Sequence, residues 1–229
     1  GHQFAQDLRI ASSFSAGLNF ILGAYYHVEK LDTSTEYRFF TDIDVDGDGN
    51  IDADDCAVDF LTACVYRNQF AQKKSSKALY ADLTYELGEL VTLRGGLRYT
   101  WDRGRLSDFK AQAIGIDGVP VANTIPGDPG NFDATTALRF SKGSVTGKVG
   151  VDLKLSPDHL LYASYSRGYR GSSFNSQAFF APDELTIAKP ETVDAFEIGA
   201  KTQFLDRRLT LNGAVFLYNY KNQQALSLI

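Results

Sequence analysis

Residues 77–102 alternate between apolar and polar side chains with a period of two. Apolar side chains occupy every second position on both sides of a short turn at residues 87–90: Leu79, Ala81, Leu83, Tyr85 and Leu87 before it, and Val91, Leu93, Leu97, Tyr99 and Trp101 after it. Successive side chains of a strand point to opposite faces. The pattern therefore predicts a hairpin of two strands, each with one apolar and one polar face.

The length of these strands favours a membrane-spanning sheet. About ten residues at about 3.3 Å each, tilted by about 45°, cover about 25 Å, which is the height of the apolar band of an outer-membrane barrel. The polar face carries Arg94, Arg98 and Asp102, and such charges suit a water-filled lumen better than a packed core. The alternative is an amphipathic hairpin of a soluble antiparallel sheet with one packed face.

The same alternation recurs along the chain and predicts eight strands in four hairpins. Short turns are expected at residues 14–17, 87–90, 156–159 and 205–208, and long segments at about residues 31–74, 104–142 and 170–190. Short turns at one rim and long loops at the other are typical of outer-membrane proteins. The sequence thus predicts an all-β, antiparallel up-and-down meander of about eight long strands in a transmembrane β-barrel, with short periplasmic turns and long extracellular loops.

Composition agrees with a barrel and excludes a transmembrane helix. No run of eighteen apolar residues exists, and the mean hydropathy of −0.21 does not argue against strands that are half polar. The net charge of −5 derives from one acidic segment, so nucleic-acid binding is not indicated. Aromatic rings near the long-loop ends of the strands predict an interfacial girdle: Tyr25, Tyr26, Tyr99, Trp101, Tyr165, Tyr169, Tyr218 and Tyr220.

Residues 44–55 have the spacing of an EF-hand calcium loop. The predicted ligands are Asp44, Asp46 and Asp48 at positions 1, 3 and 5, the backbone carbonyl of Asn50 at 7, Asp52 at 9 and Asp55 at 12. Gly49 provides the sharp turn at position 6, and Asp55 replaces the usual glutamate. Oxygen ligands at this spacing predict Ca²⁺ in an extracellular loop. The alternative is a solvated acidic loop.

Cys56 and Cys64 follow this loop, and a disulfide between them would fit an oxidising exterior. Eight residues of unbroken helix would separate their Cα atoms by about 12 Å, which is too far for a bridge. A bridge therefore requires any helix after Asp55 to be short or broken. Two free thiols are the alternative.

Three stretches resemble the barrels of TonB-dependent outer-membrane receptors: LYASYSRGYR at 161–170, KPETVDAFEIGAK at 189–201 and LTLNGAVF at 209–216. Residues 6–12 (QDLRIAS) are similar to an earlier strand of those barrels. The resemblance implies a 22-stranded barrel with a plugged lumen, in the outer membrane of a Gram-negative bacterium. It also implies TonB-energised import of a scarce nutrient such as an iron–siderophore complex, or sometimes a sugar or cobalamin.

The plug domain and the TonB box of that family have no counterpart in residues 1–229. We therefore expect an internal fragment that supplies barrel wall and extracellular loops. The expected partners are the lipid bilayer, a small-molecule nutrient such as a siderophore, and TonB through the absent plug domain. Candidate substrate contacts at the top of one strand and the start of the next loop are Arg167, Tyr169, Arg170 and Phe174. Loop packing and rim solvation are the alternative roles for these four residues.

Two other functions could account for parts of the sequence. A calcium-dependent binding or adhesion protein on a soluble β-sandwich would also explain the acidic loop. An outer-membrane hydrolase needs a nucleophile and a base, yet the three histidines, His2, His27 and His159, have no evident partner in the pattern. The sequence therefore predicts that the chain is not an enzyme.

Overall fold

The computed structural model describes residues 1–15, 17–39, 42–44, 46–52, 55, 64–115, 118–119, 132–134, 137–179 and 181–225. Eight long strands form one antiparallel sheet in chain order: β1 (His2–Ala11), β2 (Leu18–Phe39), β3 (Cys64–Leu87), β4 (Val91–Ile114), β6 (Leu138–Ser156), β7 (His159–Arg170), β10 (Glu191–Phe204) and β11 (Leu209–Lys221). The short strand β5 (Phe132–Ala134) pairs with β4. The predicted meander of eight strands is confirmed.

The segment between β7 and β10 has structure of its own. The strands β8 (Ser173–Asn175) and β9 (Thr186–Ala188) pair in a small second sheet, with a 3₁₀ turn at Pro182–Glu184 between them. Within the described ranges, no helix has the length and apolar character needed to cross a membrane. The strands β1 and β11 are the two edges of the large sheet among the described residues.

The strands reach further than the sequence pattern indicated. Three of them contain 22 to 24 residues and include residues 31–39, 64–74 and 104–114, for which the sequence pattern predicts loops. Residues 138–142, also expected in a loop, belong to β6. Apolar alternation fades in these parts because polar cross-strand pairs replace it. Arg67 of β3, for example, lies opposite Glu36 of β2 at 2.7 Å. A strand of 24 residues spans about 56 Å along the barrel axis, so these hairpins project well beyond a band of about 25 Å.

One face of the sheet is apolar and uncovered. Leu93, Leu97 and Val149 are 40%, 62% and 58% exposed, and no second layer packs on them within the described part of the chain. The soluble sandwich would bury these side chains, so the arrangement favours a sheet whose apolar face meets lipid.

Four of the eight rings predicted to form the aromatic girdle lie on the apolar face. Tyr26, Tyr99, Trp101 and Tyr165 share the apolar face with Leu97, as the cross-strand register shows. Tyr25, Tyr218 and Tyr220 lie in polar-face rows, and the hydroxyl of Tyr169 reaches Asp102 on that face. The height of a ring along its strand therefore does not determine the face on which the ring lies.

A small buried cluster lies at the long-loop end of the polar face. Leu106 and Phe109 of β4 are each 1% exposed and pack with Ala178 and Leu185, while Phe174 packs on the rim of the cluster. The cluster thus fixes the β8–β9 segment against the upper part of the sheet, where long loops would line the entrance to a barrel.

Candidate functional site

Ion pairs between strands neutralise charges on the polar face. Arg94 of β4 lies 2.6 Å from Asp152 of β6, and Lys148 of β6 lies 2.7 Å from Asp82 of β3. Alternation places all four side chains on one face. Arg94 and Asp152 lie on adjacent strands, whereas Lys148 reaches Asp82 across Gly96 of the intervening strand β4. Charges paired in this way line a wet surface without leaving a carboxylate isolated.

Tyr80 joins four strands on the same face. Its hydroxyl donates a 2.8 Å hydrogen bond to Asp7 of β1, and the guanidinium of Arg98 in β4 lies 5.6 Å from the centre of its ring. The ring covers Gly23 of β2, where an added Cβ would overlap it. Tyr162 covers Gly199 in the same way and donates to Glu197. Glycine is required at both positions because the ring of the facing strand occupies the Cβ site.

A cavity of about 330 Å³ opens at the long-loop end of the polar face. The charged and titratable residues in its lining are His27, Glu29, Lys74, Asp102, Arg103 and Arg170. They come from β2, β3, β4 and β7. Arg103 belongs to a row of the apolar face, and the other five occupy positions where the alternation turns side chains inward. Cations and carboxylates so arranged can bind a polar small molecule through charge-assisted hydrogen bonds.

Three of the four predicted substrate contacts lie close to this cavity. Arg170 lines it, Tyr169 donates a 2.8 Å hydrogen bond to Asp102 in its wall, and the ring of Phe174 lies 5.9 Å from Nζ of the lining residue Lys74.

Arg167, the fourth predicted substrate contact, does not line this cavity. It forms an ion pair of 3.3 Å with Asp194, in a row that contains Leu97 of the apolar face. Tyr165 donates to the same carboxylate. The structure therefore brings Arg167 into a polar group near the upper edge of the apolar face and does not bring it into the cavity.

Sequence reasoning missed four charged or titratable residues that line the cavity from the polar face. The pattern assigns Asp102 to the lumen face and His27, Glu29 and Lys74 to strand or loop positions, and it gives none of the four a role in binding. The signal was available in the alternation, since all four occupy polar-face positions at the same end of three consecutive strands. Only the cross-strand register shows that these four residues lie at the same height along their strands.

The acidic segment has the backbone geometry of a cation-binding loop. The carboxylate of Asp44 accepts hydrogen bonds from the backbone N–H groups of Gly47 and Gly49, at 2.7 and 2.9 Å. The carboxylate oxygens of Asp44, Asp46 and Asp48 lie within 4.8 Å of one another. Gly49 has a φ of 90°, which suits the predicted sharp turn. These all-oxygen donors fit a hard divalent cation.

Asp55 and Asn50, two further predicted ligands, form hydrogen bonds within the loop. Asp55 is 1% exposed and accepts hydrogen bonds from the backbone N–H groups of Asp46 and Asp52, so it closes the loop. The carboxylate of Asp48 accepts from the backbone N–H of Asn50. The side chains brought together are therefore those of positions 1, 3 and 5.

Desolvation and repulsion between neighbouring carboxylates raise the pKa of Asp46. A hydrogen bond from the backbone of Asp48 lowers its pKa, but desolvation and the carboxylates of Asp48, Asp55 and Asp44 raise it, and the net pKa lies above the ordinary value. A cation between these groups would relieve the repulsion and favour the ionised form.

The predicted disulfide falls largely outside the described residues. Cys56 is not among them, and Cys64 is described only as the first residue of β3. The bridge therefore stays a prediction.

Comparisons with known proteins identify the family. The family model described as "TonB dependent receptor-like, beta-barrel" matches residues 2–228. The rhizobactin receptor of Rhizobium meliloti (strain 1021) is 33% identical over 99 residues, which are 42% of this chain and 12% of that protein.

Two solved structures share the fold. The ferric yersiniabactin uptake receptor FyuA from Yersinia pestis has a TM-score of 0.65 at 18% identity, covering 97% of this chain and 29% of that one. The siderophore receptor PiuA from Acinetobacter baumannii has a TM-score of 0.60 at 20% identity, covering 93% and 31%. The chain thus spans about a third or less of each relative's length.

Membership of a receptor family agrees with the prediction that the chain is not an enzyme, and the family resides in the outer membrane of Gram-negative bacteria. Because the family model spans nearly all residues and the meander matches receptor barrels, this chain belongs to the TonB-dependent receptor-like β-barrel family.

Proposed function

We propose that the chain forms part of the wall and the extracellular entrance of a receptor that imports an iron–siderophore complex, with energy supplied through TonB. The relatives support this cargo, since their names are those of a rhizobactin receptor, a ferric yersiniabactin uptake receptor and a siderophore receptor. TonB would act through a plug domain and a 22-stranded barrel, as the family membership implies.

The observation that carries the proposal is the polar cavity at the long-loop end. Lys74, Arg103 and Arg170 supply positive charge, and Glu29 and Asp102 supply negative charge, in a space of about 330 Å³. A metal complex with acidic or hydroxyl ligands presents oxygen atoms that cations can bind. The aromatic ring of Phe174 beside Lys74 adds an apolar contact.

Cargo binding can be measured on the full-length receptor that carries these residues. We expect Lys74→Gln together with Arg170→Gln to weaken binding of a ferric siderophore by about a hundredfold, because a hydrogen bond to a charged group contributes about 1.5–3 kcal/mol. The readout is quenching of intrinsic fluorescence during titration, followed by uptake of radioactive iron into cells. Arg208→Gln, at an exposed turn of the opposite rim, is the control. Unchanged affinity in the double variant would refute the assignment of this cavity.

We also propose that residues 44–55 bind Ca²⁺ and thereby order an extracellular loop. Support comes from the three convergent carboxylates and from the backbone hydrogen bonds that hold Asp44 in place. Calorimetric titration with CaCl₂ should detect one site, which Asp44→Asn together with Asp48→Asn abolishes. Asp42→Asn, just outside the ligand spacing, should bind as the wild type does. Binding that survives the double substitution would contradict the proposal.

The disulfide between Cys56 and Cys64 would close the chain directly after the calcium loop. Alkylation of the denatured, unreduced receptor followed by mass spectrometry tests it. A bridge leaves both cysteines unmodified, whereas two free thiols both gain the alkyl group.

A further inference from the structure

One glutamine beyond β11 joins the two ends of the β8–β9 segment. The side-chain nitrogen of Gln224 donates hydrogen bonds to the backbone carbonyl oxygens of Gly171 at 3.0 Å and of Lys189 at 2.8 Å. Its side-chain oxygen accepts a hydrogen bond from the hydroxyl of Ser173 at 2.9 Å. Gly171 follows the last residue of β7, and Lys189 lies just before β10. These three hydrogen bonds, which we call the Gln224 clamp, therefore close the base of the segment.

The clamp depends on the primary amide of glutamine. An amide nitrogen carries two N–H groups, and each of them bonds one of the two carbonyl oxygens. The amide oxygen of Gln224 is used as well, as the acceptor for Ser173. Methionine has a side chain of similar length without these groups, so it cannot form the clamp. The neighbouring Gln223 is exposed and takes no part in it.

Open space adjoins the clamp, so packing alone does not hold the base of the segment. Gln224, Arg170 and Ser173 line two cavities, the cargo cavity of about 330 Å³ and a second one of about 650 Å³. The buried cluster around Leu106 holds the segment further along the chain, at residues between β8 and β9. The clamp and the buried cluster are therefore two separate attachments of one segment.

The backbone of Gln224 restrains a cation of the cargo cavity. Its N–H donates a 3.1 Å hydrogen bond to Oε2 of Glu191, and the same oxygen lies 3.9 Å from the guanidinium of Arg170. The side chain of Glu191 is 15% exposed, whereas that of Arg170 is 68% exposed. An exposed arginine samples many rotamers unless a partner restrains it. Glu191, held by the backbone of Gln224, is such a partner for Arg170.

We propose that Gln224 is a positioning residue for cargo binding. It holds the base of the β8–β9 segment and, through Glu191, fixes the guanidinium of Arg170 at the cavity wall before the cargo arrives. Ordering a loop and a long side chain during binding weakens affinity, so a wall that is already ordered favours binding. The proposal rests on the proposed function, because it takes this cavity as the cargo site. In this role Gln224 acts through Arg170.

Hydrogen–deuterium exchange of the full-length receptor without cargo tests the clamp itself. Gln224→Met removes three hydrogen bonds that each contribute about fivefold to an equilibrium constant, so opening of the base should increase about a hundredfold. Peptides that cover residues 171–175 and 186–190 should exchange faster by about this factor, while peptides of β3 and β4 keep their rates. Gln223→Met, a matched substitution one residue away, should leave all these rates unchanged.

Cargo affinity tests the positioning role. The probe is radioactive iron bound to the siderophores that the source bacterium secretes, titrated against the full-length receptor. Gln224→Met should raise the half-saturating concentration about fivefold, which is less than the loss of about tenfold expected for Arg170→Gln. In a receptor that already carries Arg170→Gln, the same substitution should change binding by less than about twofold, because the residue that it positions is gone. Gln223→Met should bind the probe as the wild type does.

Three results would overturn the proposal. Unchanged exchange at residues 171–175 and 186–190 of the Gln224→Met receptor would show that the clamp does not hold the segment. A loss of affinity that persists in full beside Arg170→Gln would show that Gln224 does not act through Arg170. If the wild-type receptor does not bind the iron probe, the proposed cargo and the positioning role both fail, whereas the exchange experiment still decides whether the clamp holds the segment.

Discussion

Replacing Leu106 with alanine should loosen the β8–β9 segment without affecting the sheet below it. Leu106 is 1% exposed and shares a buried cluster with Ala178 and Leu185, which lie between β8 and β9 in that segment. Truncation removes buried methyl groups and leaves a cavity, which together cost about 3 kcal/mol. If opening of the segment is the step that loses these contacts, its equilibrium constant should rise by about a hundredfold.

Hydrogen–deuterium exchange with mass spectrometry can detect this change in the full-length receptor. Peptides that cover residues 173–188 should exchange about a hundredfold faster in the Leu106→Ala variant, while peptides of β10 and β11 keep their rates. Leu97→Ala is the matched control, because it truncates the same side chain on the same strand at a position that is 62% exposed. Equal effects of the two substitutions, or no acceleration at 173–188, would refute the packing argument.

Three further predictions concern the polar face and the acidic loop. Gly23→Ala should place a methyl group in the space that the ring of Tyr80 occupies. This overpacking should lower the free energy of unfolding by about 1–3 kcal/mol, measured by urea unfolding in lipid vesicles. Asp152→Asn should remove the 2.6 Å ion pair with Arg94 and cost about 1 kcal/mol in the same assay, a small value because the side chain of Arg94 is 57% exposed. Calcium affinity should fall as the pH is lowered from neutral to about pH 5, because the raised pKa of Asp46 lets protons compete with Ca²⁺ for its carboxylate. Calorimetry at the two pH values measures this change, and equal affinities would contradict a role of this carboxylate as a ligand.

The hairpin at residues 77–102 was predictable because its alternation reports the face of each side chain directly. The structure keeps that pattern, with Leu97 and Arg98 on opposite faces. The turns at residues 88–90 and 205–208 were also foreseen, since they interrupt the alternation over few residues.

The upper parts of the strands were not predictable by the same signal. Above the membrane the outer face of a strand no longer meets lipid, so nothing forces apolar side chains into every second position. The buried side chains found there, such as Leu106 and Phe109, are covered by the distant β8–β9 segment. Pairs such as Glu36 with Arg67 stabilise these regions instead, and a single sequence does not show which residues of distant strands are opposite one another. The cargo cavity was partly missed for the same reason, because Lys74 and Asp102 approach it only through the register.

The most direct test of the account asks which face of β4 meets lipid. Single nitroxide labels can be placed at Val91 to Asp102 of the reconstituted receptor, one position at a time, and their collision rates with oxygen and with a polar nickel complex compared. We expect labels at Leu93, Leu97 and Tyr99 to collide mainly with oxygen, and labels at Arg94 and Arg98 mainly with the nickel complex, with a period of two. Low accessibility to both reagents at Leu93 and Leu97 would place these residues in a protein core and contradict a lipid-facing wall.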